Sequence, residues 1–331
     1  MSRRVTLAAR PVGFPQESDF AVDQAESGDP DAGEVLVRVL WASVDPYQRG
    51  RMSEVRSYAA PLQIGDVITS QSIGEVVQSG DPRFSPGDLV VGQLGWQEYA
   101  VTRAGTLRRV PPELDPPSLA LHAVGATGFT AYFGLFDVGR PVAGDTVVIS
   151  GAAGAVGQIV GQLAKLAGCR AVGIAGGPEK VRDLKEVYGY DVAIDYKQDD
   201  IASALRDERV DVYFDNVGGD VSQSVYRRLK IGARIVVCGQ ISQYNLRQPE
   251  PTFHPGLLIV FRARMEGFLV SDYAHRFDEA AERLARWIAS GVITWREDVT
   301  DGLEHAPRAF IGMLNGENRG KALVKIAEPA K

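Results

Sequence analysis

The run Val147-Val148-Ile149-Ser150-Gly151-Ala152-Ala153-Gly154-Ala155-Val156-Gly157 constrains this chain more than any other segment. Its β-branched apolar residues predict a buried strand that breaks at a glycine-alanine turn. Beyond the turn, Val156, Ile159, Val160, Leu163, Leu166 and Ala167 recur at the spacing of one helical face, and Gly168 is placed to end that helix. Strand, tight turn and helix N-terminus together make an anion site, because backbone N–H groups and the positive end of the helix dipole converge there. The spacing is that of the G-x-G-x-x-G dinucleotide fingerprint, with Ala152 in the first glycine position ahead of Gly154 and Gly157. A pyrophosphate would lie against Ala152, Ala153, Gly154, Ala155, Val156 and Gly157. The alternative is a strand-helix turn of the same spacing with no ligand.

Later segments repeat the same grammar. Residues 171–175 predict a strand, Pro178 the first turn of a helix running to about Val187, residues 192–195 a strand and 201–205 a short helix. Residues 210–215 predict a strand ending in Asp215-Asn216-Val217-Gly218-Gly219, then a helix to about Leu229, then a buried strand over 234–238. Strands alternating with helices imply right-handed crossovers and a doubly wound parallel sheet. Ligands of such sheets lie beyond the carboxyl ends of the strands, which aligns Gly176, Tyr196, Asn216 and Gly239 along one edge of a cleft.

The N-terminal third reads differently. Strands are expected over 34–41, 73–77, 88–92 and 98–101, separated by Gly, Pro, Asp and Ser, which suggests a small all-β barrel. A proline-rich passage over 110–117 leads into a helical stretch near 118–136. The strand-like segment 320–326 is expected to return to the first domain and make it discontinuous: 1–122 with 296–331, against a cofactor domain over 123–295.

Composition narrows the classes. A chain of 331 residues has room for about two domains, and 45% hydrophobic content can fill both cores. A net charge of −6 argues against nucleic acid or an anionic membrane as partner. No apolar run approaches the roughly 20 residues of a membrane span, and the N-terminus lacks a signal-peptide core, so a cytoplasmic location is expected. Cys169 and Cys238 suit buried packing or a cofactor-facing position better than a disulfide. His122, His254, His275 and His305 are scattered without metal-ligand spacing, so no metal site is expected.

The order of segments resembles the medium-chain dehydrogenase/reductase superfamily. Within it the chain is similar to the zinc-independent leukotriene dehydrogenases, prostaglandin reductases and curcumin or alkenal double-bond reductases. The matching segments run in order over nearly the whole length: residues 43–52 around Asp45-Pro46-Tyr47, 130–134, 152–157, 214–219, 238–245, 264–268 and 316–321. The resemblance implies a GroES-like β-barrel catalytic domain with a Rossmann cofactor domain. It also implies hydride delivery to the β-carbon of an α,β-unsaturated aldehyde or ketone and protonation at the α-carbon.

NADPH is the expected cofactor. NAD sites place a carboxylate at the end of the second strand, but Ala175-Gly176-Gly177 has none and Lys180 lies just beyond. A charged hydrogen bond of about 1.5–3 kcal/mol from Lys180 to a 2′-phosphate would favour NADPH roughly ten- to a hundredfold; Lys180 as a solvated helix residue is the alternative. By resemblance Lys180 and Tyr196 flank the 2′-phosphate, and Thr130 lies near the nicotinamide end. Asn216, the loop Cys238, Gly239, Gln240, Ile241, Ser242 and Tyr244, the strand Phe268, Leu269 and Val270, and Asn318 contact the cofactor.

Tyr47 is the candidate catalytic group: a phenol with pKa near 10 stays protonated at neutral pH and can donate to an enolate oxygen. Several relatives carry a further tyrosine where this chain has Val260, so the proton could instead come from water, a ribose hydroxyl or Tyr244. Packing of Tyr47 at the domain junction is the alternative without catalysis. Arg49 and Arg51 either steer carboxylated substrates or are solvated loop residues. A quinone reductase and a non-catalytic NADPH-binding redox sensor are the competing functions. The partners expected are a small enal, enone or quinone and a second copy of the chain, paired through the edge strand 265–270. Barrel loops and residues 249–261 are expected to shape the substrate pocket.

Overall fold

The structure, a computed structural model, describes every residue except 56, 249, 251–254 and 330–331; His254 and, of the 249–261 segment, residues 249 and 251–254 therefore lie outside the described residues. Its contacts divide the chain into two units, His122–Arg296 and the pair Met1–Leu121 with Glu297–Lys331.

The continuous unit is built on a 6-stranded parallel sheet. Its strands lie in the order Val192–Asp195, Arg170–Ala175, Thr146–Ser150, Val210–Asp215, Leu229–Val237 and Arg264–Gly267. The chain winds outward from Thr146–Ser150 to one edge, then returns to its other side and winds to the opposite edge. The order therefore reverses between Thr146–Ser150 and Val210–Asp215, where neighbouring crossovers diverge and leave a crevice beyond the strand ends. Thr146–Ser150 is buried at every residue, as expected of a strand covered on both faces.

The helix after the glycine-alanine turn spans Gly157–Leu166. Gly168 ends it at φ +77°, with its N–H bonded to the Lys165 carbonyl and the Cys169 N–H to that of Ala164, the double bond of a Schellman motif. Leu166, expected on the buried face, is 44% exposed in the last turn before this reversal. Elsewhere boundaries move. The helix after Asp215 ends at Tyr226, and the next strand starts early, at Leu229. The stretch 118–136 is not one helix but a 3-10 turn, the α-helix Ala126–Phe133 and a π-turn over Gly134–Gly139.

The edge strand also differs from expectation. It spans Arg264–Gly267 and stops, so Phe268, Leu269 and Val270 are not strand, and a 3-10 turn begins at Val270. The chain leaves the sheet as the Phe268 ring turns inward over Gly134, where a Cβ would fall 2.6 Å from it, and meets Tyr273 edge-on.

The discontinuous unit carries a 7-stranded sheet. Its path runs Glu297–Asp301, Lys321–Lys325, Glu34–Ser43, Gln71–Ser79, Leu89–Gln93 and Arg108–Arg109, with Tyr99–Arg103 paired to the first half of Glu34–Ser43. The expected barrel is corrected here: among the described residues the two ends of this path are not hydrogen-bonded to each other. The long strand Glu34–Ser43 branches the sheet, taking Tyr99–Arg103 along one half and Lys321–Lys325 along the other. Val35, Val37, Val39, Val76, Val90, Leu94, Ala100 and Leu107 fill the core beneath. A separate antiparallel ribbon, Ser2–Leu7 with Phe20–Ala25, completes the unit. No described helix is long and apolar enough to cross a membrane.

Candidate functional site

The turn after Thr146–Ser150 divides its glycine roles differently from the fingerprint. Gly151, not the residue at the first fingerprint position, takes the positive φ of +59°, so Ala152 is accommodated without strain. Gly157 serves close approach: a Cβ there would fall 2.4 Å from the Gly151 carbonyl oxygen and 2.6 Å from the Ala152 Cα. Gly154 is looser, with Gly151 oxygen 3.2 Å from its notional Cβ. Helix and turn are thus drawn together, the close approach that a backbone cradle for a phosphate pair requires. Small residues at 151–157 fit a dinucleotide.

Asp215 organises the loops around that cradle. It is 1% exposed, and its Oδ1 accepts from Ser150 Oγ at 2.9 Å, Tyr213 OH at 2.9 Å, Val217 N–H at 3.0 Å and Gly218 N–H at 2.9 Å. Its Oδ2 accepts from Ser222 Oγ at 2.6 Å. A buried carboxylate saturated by donors in this way is held in place. From this hub Asn216 is locked to the neighbouring strand, its N–H on Ser150 Oγ and its Nδ2 on the Ser150 carbonyl. The Cys238 and Gly239 N–H groups both bond the Asp215 carbonyl, and Ser242 bonds the Val217 carbonyl through N–H and Oγ. Tyr244 OH accepts from the Gln240 N–H at 3.2 Å. Burial, and then Asp215, pushes the Cys238 thiol up to about 12, so it stays a neutral thiol.

At the second strand the Tyr196 ring lies 2.7 Å from a Cβ built on Gly176, so only glycine lets the ring sit there. Asp195 is turned into the fold, accepting from Gly177 N–H at 2.8 Å and Lys197 N–H at 3.1 Å. Lys180 follows on the helix Pro178–Glu186. Thr130 lies on Ala126–Phe133, its Oγ1 donating to the Ala126 carbonyl. Val260 is 62% exposed on the short helix Gly256–Phe261.

Tyr47 and Asn318 belong to the discontinuous unit. Tyr47 opens the one-turn helix Tyr47–Arg51 after the Asp45-Pro46 step. Its hydroxyl is buried without a hydrogen-bond partner. Burial first, and then the Asp45 carboxylate, hold its pKa well above the ordinary phenol value. Asn318 Nδ2 donates to the Gly320 carbonyl at 2.7 Å. Two organising groups lie outside the sequence expectations, the Asp215 hub and the buried Lys321 that pairs with Asp45. The signal available for the first was an aspartate ending an apolar run.

Residues 3–110 match the family model for the N-terminal domain of oxidoreductases, and residues 155–286 that for zinc-binding dehydrogenases. Among the described residues no group of His, Cys, Asp and Glu could hold a metal. A putative NADP-dependent oxidoreductase of Bacillus subtilis is 46% identical, covering 99% of this chain and 98% of its own. The NADPH-dependent curcumin reductase of Escherichia coli is 42% identical over 98% and 97%, and the NADP-dependent 2-alkenal reductase of Nicotiana tabacum 41% over 98% and 98%. CurA from Vibrio vulnificus in complex with NADPH superposes with a TM-score of 0.94 at 43% identity, covering 99% of this chain and 100% of that one. With such identity sustained from end to end, this chain belongs to the medium-chain dehydrogenase/reductase family, in the group of the curcumin, alkenal and prostaglandin reductases.

Proposed function

We propose that this protein reduces the carbon–carbon double bond of α,β-unsaturated aldehydes and ketones with NADPH and without zinc. The observation that carries the reading is the Tyr47 hydroxyl, a buried and protonated donor with no partner, on a chain similar throughout to named enone and enal reductases. Bound NADPH supplies the hydride for the β-carbon. The backbone of 151–157 cradles its phosphates, with Asn216 and the 238–244 loop beside them. Lys180 meets the 2′-phosphate, with Tyr196 alongside, and no carboxylate at 175–177 opposes it.

Tyr47 donates a hydrogen bond to the acceptor's carbonyl oxygen. That oxygen becomes an enolate as the β-carbon is reduced, so a donor aimed at it lowers the barrier. Because its pKa is raised, Tyr47 shares its proton rather than losing it, and water delivers the proton to the α-carbon. Such help contributes about 10²–10⁴ in rate. Following the NADPH absorbance with trans-2-hexenal, 3-nonen-2-one and a benzoquinone tests the assignment. Fast oxidation with the enal and enone is expected; turnover of the quinone alone would replace it with quinone reduction, and tight NADPH binding without turnover with a sensor.

A homodimer through the cofactor unit, in the cytoplasm, belongs to the same reading. It is supported by the open edge of Arg264–Gly267 and by Ile259 at 80% and Val260 at 62% exposure nearby in sequence. Light scattering at micromolar concentration tests it.

A further inference from the structure

Two arginines share the short helix with Tyr47, and the structure separates them. Arg49 is 5% exposed, and its guanidinium donates to the carbonyls of Pro11 at 3.3 Å and Gly13 at 2.8 Å. Its donors hold the 11–13 turn. Arg51 is different: its Nε is buried with no hydrogen-bond partner, and among the described residues its guanidinium makes no ion pair. On this helix the other buried donor in that condition is the Tyr47 hydroxyl. The two stand one helical turn apart, on the same face. Asp45 does not serve them, because its carboxylate is taken by Lys321 and by the Ser43 hydroxyl.

A buried donor without a partner costs free energy, and a cationic one costs more. Two such donors on one helix face, one a neutral hydroxyl and one the Nε of a cationic side chain, match an oxygen that is neutral when it arrives and anionic afterwards. The acceptor's carbonyl oxygen is such an atom.

Resting on the reductase reading above, we propose that Arg51 is a second substrate-touching donor: with Tyr47 it receives the acceptor's carbonyl oxygen and the negative charge that gathers there. As hydride bonds the β-carbon, the π electrons of the double bond shift toward the carbonyl and leave an enolate oxygen. Arg51 keeps its protons and shares an N–H with that oxygen until water protonates the α-carbon. The chemical class selected is therefore any acceptor whose double bond is conjugated to an oxygen able to carry charge.

The experiment uses full-length protein and the variants Arg51→Met, Arg51→Lys and Tyr47→Phe. With 3-nonen-2-one, a neutral enone, Arg51→Met is expected to lose about 10²-fold in kcat, the scale of one oxyanion donor, with the Kd for NADPH unchanged. Arg51→Lys should recover part of that loss. Binding of 4-nitrophenolate to the NADP⁺-loaded protein, read at the dye's anion band, provides an enolate mimic that needs no turnover; it should weaken about tenfold in both Arg51→Met and Tyr47→Phe. Arg51→Met should melt no lower than the parent, since it removes an unsatisfied donor. Unchanged kcat with the neutral enone and loss only with trans-3-benzoylacrylate would make Arg51 a carboxylate-steering group and overturn the proposal. Dye binding indifferent to Arg51, or a collapse of stability in Arg51→Met, would overturn it as well. Arg51-dependent dye binding in a protein that reduces no enone would uphold the donor pair and reject the reductase reading.

Discussion

Lys321, on the strand that closes the chain, lies 2.7 Å from Asp45 Oδ1 and 2.9 Å from the Val44 carbonyl, fully buried. The pair ties the returning tail to the turn that carries Tyr47. Ser43 donates to the other carboxylate oxygen, and the Asp45 N–H donates to Gln48 Oε1 at 2.8 Å. The turn is thus fixed from both sides, and its ion pair is desolvated.

Breaking one side of such a pair leaves an uncompensated charge. Lys321→Met is expected to destabilise the protein by about 3–5 kcal/mol, read from urea unfolding. Lys321→Met with Asp45→Asn should recover a good part of the loss, because no lone charge then remains buried. An unshifted midpoint in the single variant would mean the pair does not hold the turn.

Tyr47, Tyr190, Tyr213 and Tyr226 all have pKa values raised above the phenol norm, in each case first by burial. The folded protein therefore keeps these protons longer than the unfolded chain, whose tyrosines ionise near pH 10. Their contribution to stability is whole below about pH 10 and falls as pH climbs above it toward the raised folded values. Urea midpoints should be flat in this respect up to about pH 10 and decline beyond. Tyrosinate absorbance that rises near pH 10 for every tyrosine, with the fold intact, would contradict the buried assignment.

The parallel sheet was legible apart from its edge strand Arg264–Gly267, because its other strands contain apolar runs that needed no partner to be recognised. Glu297–Asp301 was not: its sequence is Glu-Asp-Val-Thr-Asp, and only the register with Lys321–Lys325 makes it a strand. The ribbon Ser2–Leu7 with Phe20–Ala25 pairs across a long connection, which no local pattern announces. The strand over Phe268–Val270 was carried over from the resemblance, which fixes the order of segments but not where this sheet ends, and here it ends at Gly267. At the site, residue types marked the phosphate turn and Tyr47. What they could not carry was which polar groups already have partners, the property that separates Arg49 from Arg51 and makes Asp215 a hub.

Asp215→Asn tests that hub. The substitution keeps the shape but replaces one charged acceptor oxygen with an amide donor facing the same hydroxyls and N–H groups. Hydrogen bonds to charged groups are each worth about 1.5–3 kcal/mol, so an overall loss of about 3 kcal/mol in unfolding free energy is expected. The Kd for NADPH should rise too, because the carboxylate holds the Val217 and Gly218 N–H groups and the Ser150 hydroxyl that in turn accepts from the Asn216 N–H. A stable variant with parental cofactor affinity would show the loops to be held independently of it.

Lys180 is expected to set the preference for the phosphorylated cofactor. Lys180→Ala should raise the Kd for NADPH about tenfold, the equivalent of about 1.4 kcal/mol, and leave that for NADH unchanged. Parallel fluorescence titrations with the two dinucleotides read the difference directly. Equal weakening of both would mean that the residue supports the helix rather than the 2′-phosphate.

Gly154 and Gly157 stand as equals in the fingerprint, but their surroundings are unequal. An alanine Cβ at 157 would meet backbone, the Gly151 oxygen at 2.4 Å and the Ala152 Cα at 2.6 Å, so the helix would have to move off the turn. At 154 the nearest atom is the Gly151 oxygen at 3.2 Å, which a shift of a few tenths of an ångström relieves. Gly157→Ala is therefore expected to weaken NADPH binding by at least about tenfold and to cost about 1–3 kcal/mol of stability. Gly154→Ala should cost clearly less in both. If the two variants lost affinity equally, the helix–turn approach would not be what shapes the cradle.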